Sequence, residues 1–329
     1  MLAPAYKLTV GNRVVDTSDE PRASTLTALS VTLDHEPAAD VAVLVLGNVG
    51  GLAPERGDEA TIELGYLDGE LTTVWSGTVD RVERNLQTTR VTLANGAQTL
   101  LRRYLEQTYE AKSAGEIVRD LAERAAVQVA QVEEGIRFPA YVIDGQSSFY
   151  RHMANLAALS GFDLYHNERD QLVFKPFNGG NRIHILEYAK HLLRAGSLEK
   201  TPVAGKVTAW GESPGGGQGE EAWAWLSKDF SASKGEAGTG ELQELLEIPA
   251  LRDGEAAATA ARARAAVHRR GGLTGRIRVL GLPAVKLGDA VRLRQAPGQV
   301  LNDTFQVRAV HHHLDKRGGF YTTIDFRSL

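Results

Sequence analysis

Apolar and polar residues alternate at both ends of the chain. Toward the C-terminus, Val291 and Leu293 alternate with Arg292 and Arg294, and Phe305 and Val307 alternate with Gln306 and Arg308. Strict alternation puts every second side chain on a buried face, so these segments predict strands. Gly288-Asp289 and Gly318-Gly319 lie between the runs, where turns need positive φ or a short polar side chain. The pattern predicts a closed or nearly closed antiparallel barrel segment with a basic outer row. Residues 1–100 read as all-β too. Residues 6–10 alternate, Gly11-Asn12 turns, residues 13–15 begin a return, and Leu29, Val31 and Leu33 share one side of a strand over 26–33.

The two ends echo each other. Residues 54–58 (Pro-Glu-Arg-Gly-Asp) resemble 285–289 (Val-Lys-Leu-Gly-Asp), and alternating strands follow at 60–64 and 290–294. Second strands of similar type come next, at 73–82 and 303–310. This weak internal repeat predicts two β modules of related design.

Between them the period changes. Ala114, Ile117, Val118, Leu121, Ala122 and Ala125 recur at helical spacing, with Ser113 placed to cap the start. A second helix follows Ser147, with Phe149, Met153, Leu156 and Ala157 in one stripe and Gly161 at its end. Residues 162–165 and 171–174 predict a hairpin across a polar turn. Loops are expected at 211–219 and 234–240, which are rich in glycine. Residues 252–270, rich in alanine, predict a helix stopped by Gly271-Gly272. The expected fold is mainly β with an α+β insert: two related antiparallel β-barrel modules at 1–104 and 201–329, the second carrying the 252–270 helix, and a small α+β domain at 105–200. Strands just after 200 completing the first barrel instead is the alternative.

Composition narrows the classes. With 329 residues, 43% hydrophobic and 24% charged, the chain predicts a globular protein of two or three domains. No apolar run approaches the roughly 20 residues of a spanning helix, and no signal peptide is read. The absence of cysteine removes disulfides and thiolate metal sites, which predicts synthesis in a cytoplasm. Charge is unevenly spread. Residues 1–100 hold 7 Lys/Arg against 14 Asp/Glu (−7), 101–250 hold 16 against 21 (−5), and 251–329 hold 14 against 6 (+8). An acidic front and a basic back suit a molecule that meets copies of itself head to side.

Candidate chemistry is sparse. On a strand, His311 and His313 point one way and His312 the other, so at most two share an ion, with Asp315 near; the reading is three ring residues on a strand and no metal. The Gly-rich runs lack the strand–helix context and the Lys-Ser/Thr of nucleotide loops, so no cofactor is expected. Trp223 and Trp225 project from one face of a strand, more as core or interface anchors than as stacking platforms for sugars or bases. Carboxylate pairs such as Asp68 with Glu70 and Glu133 with Glu134 lie in turn-like surroundings, and no nucleophile elbow is present, so no catalytic residue is assigned. Arg276, Arg278, Arg292, Arg294 and Arg308 form the one patterned constellation. On alternating strands they predict a polar face that meets acidic partners, lines a pore tolerant of DNA, or is simply a solvated outer face.

Three features occur in order: Gly281-Leu-Pro with Gly288-Asp289 and the following strand, the Phe305-x-Val307 strand, and a hairpin running from His313 through Leu314-Asp315-Lys316, Gly318-Gly319-Phe320, Thr322 and Ile324. Together with 144–149, 153–157, 160–165 and Leu172-Val-Phe-Lys-Pro176, this set resembles the late-control D family of phage tail proteins, the baseplate hubs of contractile tails, tailocins and related injection systems. The resemblance implies a non-enzymatic, homotrimeric, pseudo-sixfold ring that joins a threefold spike to a sixfold inner tube. Implied partners are further copies of the chain, a spike protein, an inner-tube or tube-initiator protein, other baseplate proteins, and tape-measure protein or cargo in the pore, with nucleic acid only in passage. Assembly in a bacterial cytoplasm and residence in a virion tail or injection particle follow. Because the chain ends just after the last strand, the spike is expected as a separate chain. A tail-associated cell-wall hydrolase and a carbohydrate-binding β protein are the alternatives.

Overall fold

The computed structural model describes residues 3–19, 25–35, 40–48, 52–201, 203–211 and 234–329. The N-terminal alternation becomes seven strands: β1 (Pro4–Val10), β2 (Arg13–Asp16), β3 (Leu26–Asp34), β4 (Val41–Gly47), β5 (Glu59–Tyr66), β6 (Thr72–Arg84) and β7 (Thr88–Ala94). The middle of the chain supplies α1 (Ala97–Leu101), β8 (Gln107–Ser113), α2 (Ala114–Arg124), β9 (Val129–Val132), β10 (Arg137–Ile143), α3 (Phe149–Ser160), β11 (Asp163–His166) and β12 (Leu172–Lys175). Next come β13 (Ile183–Glu187), α4 (Tyr188–His191), β14 (Leu192–Lys200), β15 (Lys206–Trp210), β16 (Lys234–Gly238), β17 (Gln243–Glu247) and α5 (Gly254–Gly271). The C-terminal alternation gives β18 (Leu273–Leu280), β19 (Ala290–Arg294), β20 (Thr304–Asp315) and β21 (Gly319–Arg327).

The expected mainly β architecture is what the chain adopts. Both alternating ends join one 13-stranded sheet, in the order β14-β18-β21-β20-β3-β4-β7-β6-β5-β1-β2, with β19 pairing β20 and β13 pairing β19. The hydrogen-bonded path is open among the described residues, and one core lies beneath both halves. Leu29, Val31, Leu44, Ile62, Trp75 and Leu93 from the first half meet Ile277, Val291, Val310, Ile324 and Phe326 from the second. Each such side chain contributes about 1.5–3 kcal/mol on burial, so the shared core dominates the joining of the halves.

The insert has its own core. Ser113 caps α2 in a reciprocal capping box with Glu116, Gly161 ends α3 in the left-handed conformation, and β11 and β12 form the expected hairpin. The division at 104 and 200 does not follow the cores, however. Strands β13 and β14, expected in the insert, pair with β19 and β18 in the large sheet. The 252–270 helix forms as α5, yet its buried alanines pack with Val207, Ala209, Leu121, Met153 and Phe174 in the insert. The physical reason is the small-residue face of α5. A Cβ on Gly235 of β16 would lie 2.1 Å from the backbone N of Ala258, so strand and helix backbones are nearly in contact. The insert is therefore built from two chain segments, with β13 and β14 passing out to the sheet between them.

Asp163 on β11 ties insert to sheet. Its buried carboxylate accepts from Arg327 Nη2 at 2.9 Å and from Gln306 Nε2, with Arg270 at 3.6 Å and His35 at 3.8 Å. His35 stacks on Tyr165, and burial, reinforced by the nearby arginines and opposed by Asp163, lowers its pKa to about 4. Among the described residues, no helix is long and apolar enough to cross a membrane.

Candidate functional site

The internal repeat extends well beyond the Gly-Asp turn. In the first half, Gly57 takes φ +94°, the Glu55 amide donates to Asp58 Oδ2 at 2.9 Å, and the Asp58 carbonyl accepts from the Val79 amide at 2.8 Å. In the second, Gly288 takes φ +83°, the Lys286 amide donates to Asp289 Oδ2 at 3.1 Å, and the Asp289 carbonyl accepts from the Val307 amide at 3.0 Å. The following strands share two irregularities, although β14 has a further shift between Ala195 and Leu198 and β5 has one against β6 between Ile62 and Glu63. β6 bulges against β7 between Val79 and Arg81, and β20 bulges against β21 between Val307 and Ala309. β3 bulges against β4 between Leu26 and Ala28, and β14 against β18 between Leu192 and Arg194. Bulges are specific, register-fixing features. Two coinciding pairs put the halves in strand-by-strand correspondence: β3 with β14, β4 with β18, β7 with β21, β6 with β20, and β5 with β19. The outermost pair differs, since β1 runs antiparallel to β5 while β13 runs parallel to β19.

The two halves meet at a seam. Beyond its bulge, β20 leaves β19 behind and pairs antiparallel with β3, from Ala309 opposite Asp34 to Asp315 opposite Ala28. On the core side, Val310, His312, Leu33 and Val31 are buried. On the other face, His311 Nδ1 lies 3.2 Å from Thr32 Oγ1, and Arg308 Nε lies 3.6 Å from Asp34. A half-exposed ion pair of that length is worth at most about 1 kcal/mol. Burial of the three aliphatic side chains exceeds it several-fold.

The counterparts of the seam strands, β14 and the C-terminal part of β6, lie away from the seam. Among the described residues, β14 pairs only with β18, and the edge of β6 beyond Asp80 that faces away from β7 has no partner strand. Leu193 and Leu198 on β14 are 55% and 48% exposed, and Arg81, Glu83 and Arg84 on β6 are exposed. Unpaired edges with exposed apolar residues are templates for pairing with another chain.

The five arginines do not form one free row. Arg276 makes a two-pronged ion pair with Asp325, both contacts at 2.6 Å, and Arg278 lies over the Tyr321 ring at 4.3 Å. Burial would raise the Asp325 pKa, but the Arg276 bonds and the nearby His311, 3.7 Å away, outweigh it and hold the carboxyl well below the usual range. Arg308 stands at the seam. Arg292 and Arg294 lie apart on β19, exposed, with Arg292 Nε donating to Thr304 at 2.8 Å and Arg294 opposite Glu187. Trp223 and Trp225 fall outside the described residues.

The histidines alternate as their strand requires. His312 is 1% exposed with Nδ1 3.0 Å from Thr322 Oγ1, and burial, then the neighbouring His311, lowers its pKa to about 3. His313 Nε2 bonds Asp315 at 2.7 Å on the opposite face. Among the described residues, no group of three His, Asp or Glu side chains is arranged to hold a metal ion. Sequence reasoning missed the seam and the Asp163 node. The available signals were the twelve-residue length of β20 against the five of β19, and an aspartate inside the apolar 162–165 run.

No protein-family model matches the chain, and no curated protein does. Solved structures do match. The 43 kDa tail protein of prophage MuSo2 from Shewanella oneidensis is 13% identical with a TM-score of 0.71, over 99% of this chain and 98% of its own. The tail protein from Neisseria meningitidis MC58 is 14% identical with a TM-score of 0.68, over 99% and 96%. The E. coli c3393 protein, a type VI secretion component with structural similarity to the T4 bacteriophage tail proteins gp27 and gp5, is 12% identical with a TM-score of 0.59, over 98% of this chain and 76% of its own. At these identities the likeness is one of fold. The chain has the fold of phage tail and type VI secretion proteins.

Proposed function

We propose that this chain is the structural hub subunit of a contractile-tail or injection-system baseplate, of the late-control D kind. Three copies form a ring of six related β modules around a pore, joining a threefold spike to a sixfold inner tube. The observation that carries the reading is the in-register duplication. A chain holding two equivalent modules side by side converts threefold symmetry into near-sixfold symmetry once three copies close. The fold likeness to tail proteins supports the same assignment. Spike, tube or tube-initiator and other baseplate proteins are the partners on the two faces, with tape-measure protein or cargo in the pore. The Arg276, Arg278 and Arg308 strands and the exposed Arg292 and Arg294 serve as interface or pore surface. The role requires no catalytic group or cofactor.

Light scattering on the purified chain across a concentration series tests this. The expected mass is three times 35.6 kDa, with a ring and central pore in electron micrographs. A chain that stays monomeric at the highest concentration overturns the reading.

A further inference from the structure

We propose that the exposed edge of β14 in one copy pairs antiparallel with residues 81–84 of β6 in a second copy, reproducing between chains the β3–β20 seam within the chain. This rests on the ring reading and names the strands and register that close the ring. The strand correspondence fixes that register. Following the shared bulges, Arg81, Val82, Glu83 and Arg84 occupy the places of Ala309, Val310, His311 and His312. Through their β18 and β4 partners, Leu198 and Glu199 occupy the places of Val31 and Thr32, and continuing the strand puts Lys200 at the place of Leu33. Transferring the seam pairs Val310–Leu33, His311–Thr32 and His312–Val31 therefore sets Val82 opposite Lys200, Glu83 opposite Glu199 and Arg84 opposite Leu198. The occupant is a second copy because this chain already pairs that strand type with that edge, and among the described residues each copy has one of each without a partner strand.

The chemistry makes the outer seam weaker than the inner one. Lys200 and Arg84 replace Leu33 and His312, so their aliphatic stems cover the core edge while their charges stay in water. Glu83 and Glu199 would face each other, and directly opposed like charges on a sheet are unfavourable. Arg81 and Arg90, at 3.9 and 4.0 Å from Glu83, partly offset this. A seam of this kind lets each chain fold before it associates.

Cross-linking tests the register. The chain has no cysteine, so every disulfide formed is an engineered one. In the inner seam the His35 amide donates to the Arg308 carbonyl. Alternation then makes His311–Thr32 a non-hydrogen-bonded pair, the close-approach type whose Cα separation of about 4.5 Å suits a disulfide. The variant carrying Glu83→Cys and Glu199→Cys is expected to give covalent dimers and trimers on mild oxidation in more than half of the chains. Glu83→Cys with Glu110→Cys, both exposed, is the control and is expected to give less than a tenth of that yield. A second measurement uses Glu199→Gln, expected to lower the concentration at which trimers dissociate at least threefold. A wild-type trimer with no cross-link above control overturns the seam and leaves the ring standing. A wild-type monomer at all concentrations overturns both.

Discussion

The two β modules share a ladder and differ in what covers it. In the first, the Gly57-Asp58 turn lies in the open, and the core beneath β5–β7 is aliphatic and aromatic, with Ile62, Leu64, Trp75 and Leu93 buried. In the second, the same turn is roofed by the insert. Asp289 is buried and bonds His184 Nε2 at 2.9 Å, and the module keeps Gln306, His312 and Thr322 inside. One backbone design therefore serves two purposes. The first module also buries polar groups, among them Thr17, His35 and Asp40, whereas in the second Gln306, His312 and Thr322 lie inside at the insert and the seam.

The sharpest break in this comparison is at Asp163. Replacing it with alanine leaves Arg327 and Arg270 facing a buried gap, and loss of one partner of a buried charge network costs about 3–5 kcal/mol. Asp163→Ala should lower the denaturant midpoint accordingly. In hydrogen exchange, protection should fall first in β11 and β21 and last in β5–β7. Equal loss in both modules would mean that the node does not separate them.

The turn glycines give a matched pair. Both hold positive φ, where a Cβ costs about 1–2 kcal/mol. A Cβ on Gly57 meets nothing within 4 Å, while one on Gly288 would lie 2.4 Å from Tyr165 Oη and 2.9 Å from Asn181 Nδ2. Overpacking adds roughly 1–3 kcal/mol. Gly288→Ala should therefore cost about 3 kcal/mol and Gly57→Ala about 1 by chemical denaturation. Equal costs would show that the insert yields freely over the second turn.

His312 distinguishes the modules by pH, since its counterpart Arg84 lies exposed. The folded pKa of His312 is lowered to about 3, so the unfolded chain takes up a proton near 6.5 that the folded chain refuses. Stability from this group is full above pH 6.5 and is lost as pH falls toward 3. Between pH 7 and 5 the loss is about 2 kcal/mol, at roughly 1.4 kcal/mol per unit below 6.5. His312→Leu leaves Thr322 still accepting from the Leu282 amide at 2.8 Å, and should remove that share of the slope in melts across pH. An unchanged slope would assign the acid sensitivity to other groups.

What the sequence revealed follows from how local each feature is. The Ser113 cap, the Gly161 stop and the β11–β12 hairpin are written within a few residues, and all three formed. The Gly-Asp turns were legible because identical backbone needs select the same two residue types. The seam was not, because His311 and Thr32 are 279 positions apart and alternation says which face is buried without saying which strand lies alongside. The placement of α5 was hidden for a related reason. An alanine face fits any closely approaching backbone, so its pattern does not name the partner. The arginine row was read as one face because alternation was extended across strands. It could not show that Asp325 neutralises Arg276, or that β20 changes partner at its bulge and leaves Arg292 and Arg294 on a separate strand.

That last separation frames the smallest expected effect. Arg292 and Arg294 are exposed on the more basic module, with Arg292 bonded to the Thr304 hydroxyl and Arg294 opposite Glu187 on the neighbouring strand. Reversing both to glutamate should change chain stability by no more than about 0.5 kcal/mol, as for other surface substitutions without buried partners. If the basic module of one copy meets the acidic module of the next, the same double reversal weakens assembly. The effect should be several-fold at low salt and should fade as the Debye length shrinks below about 8 Å. Sedimentation of Arg292→Glu/Arg294→Glu at two ionic strengths reads this directly. A trimer unchanged at high dilution in low salt would remove charge complementarity as a force in closing the ring. The strand edges would then have to supply its affinity alone.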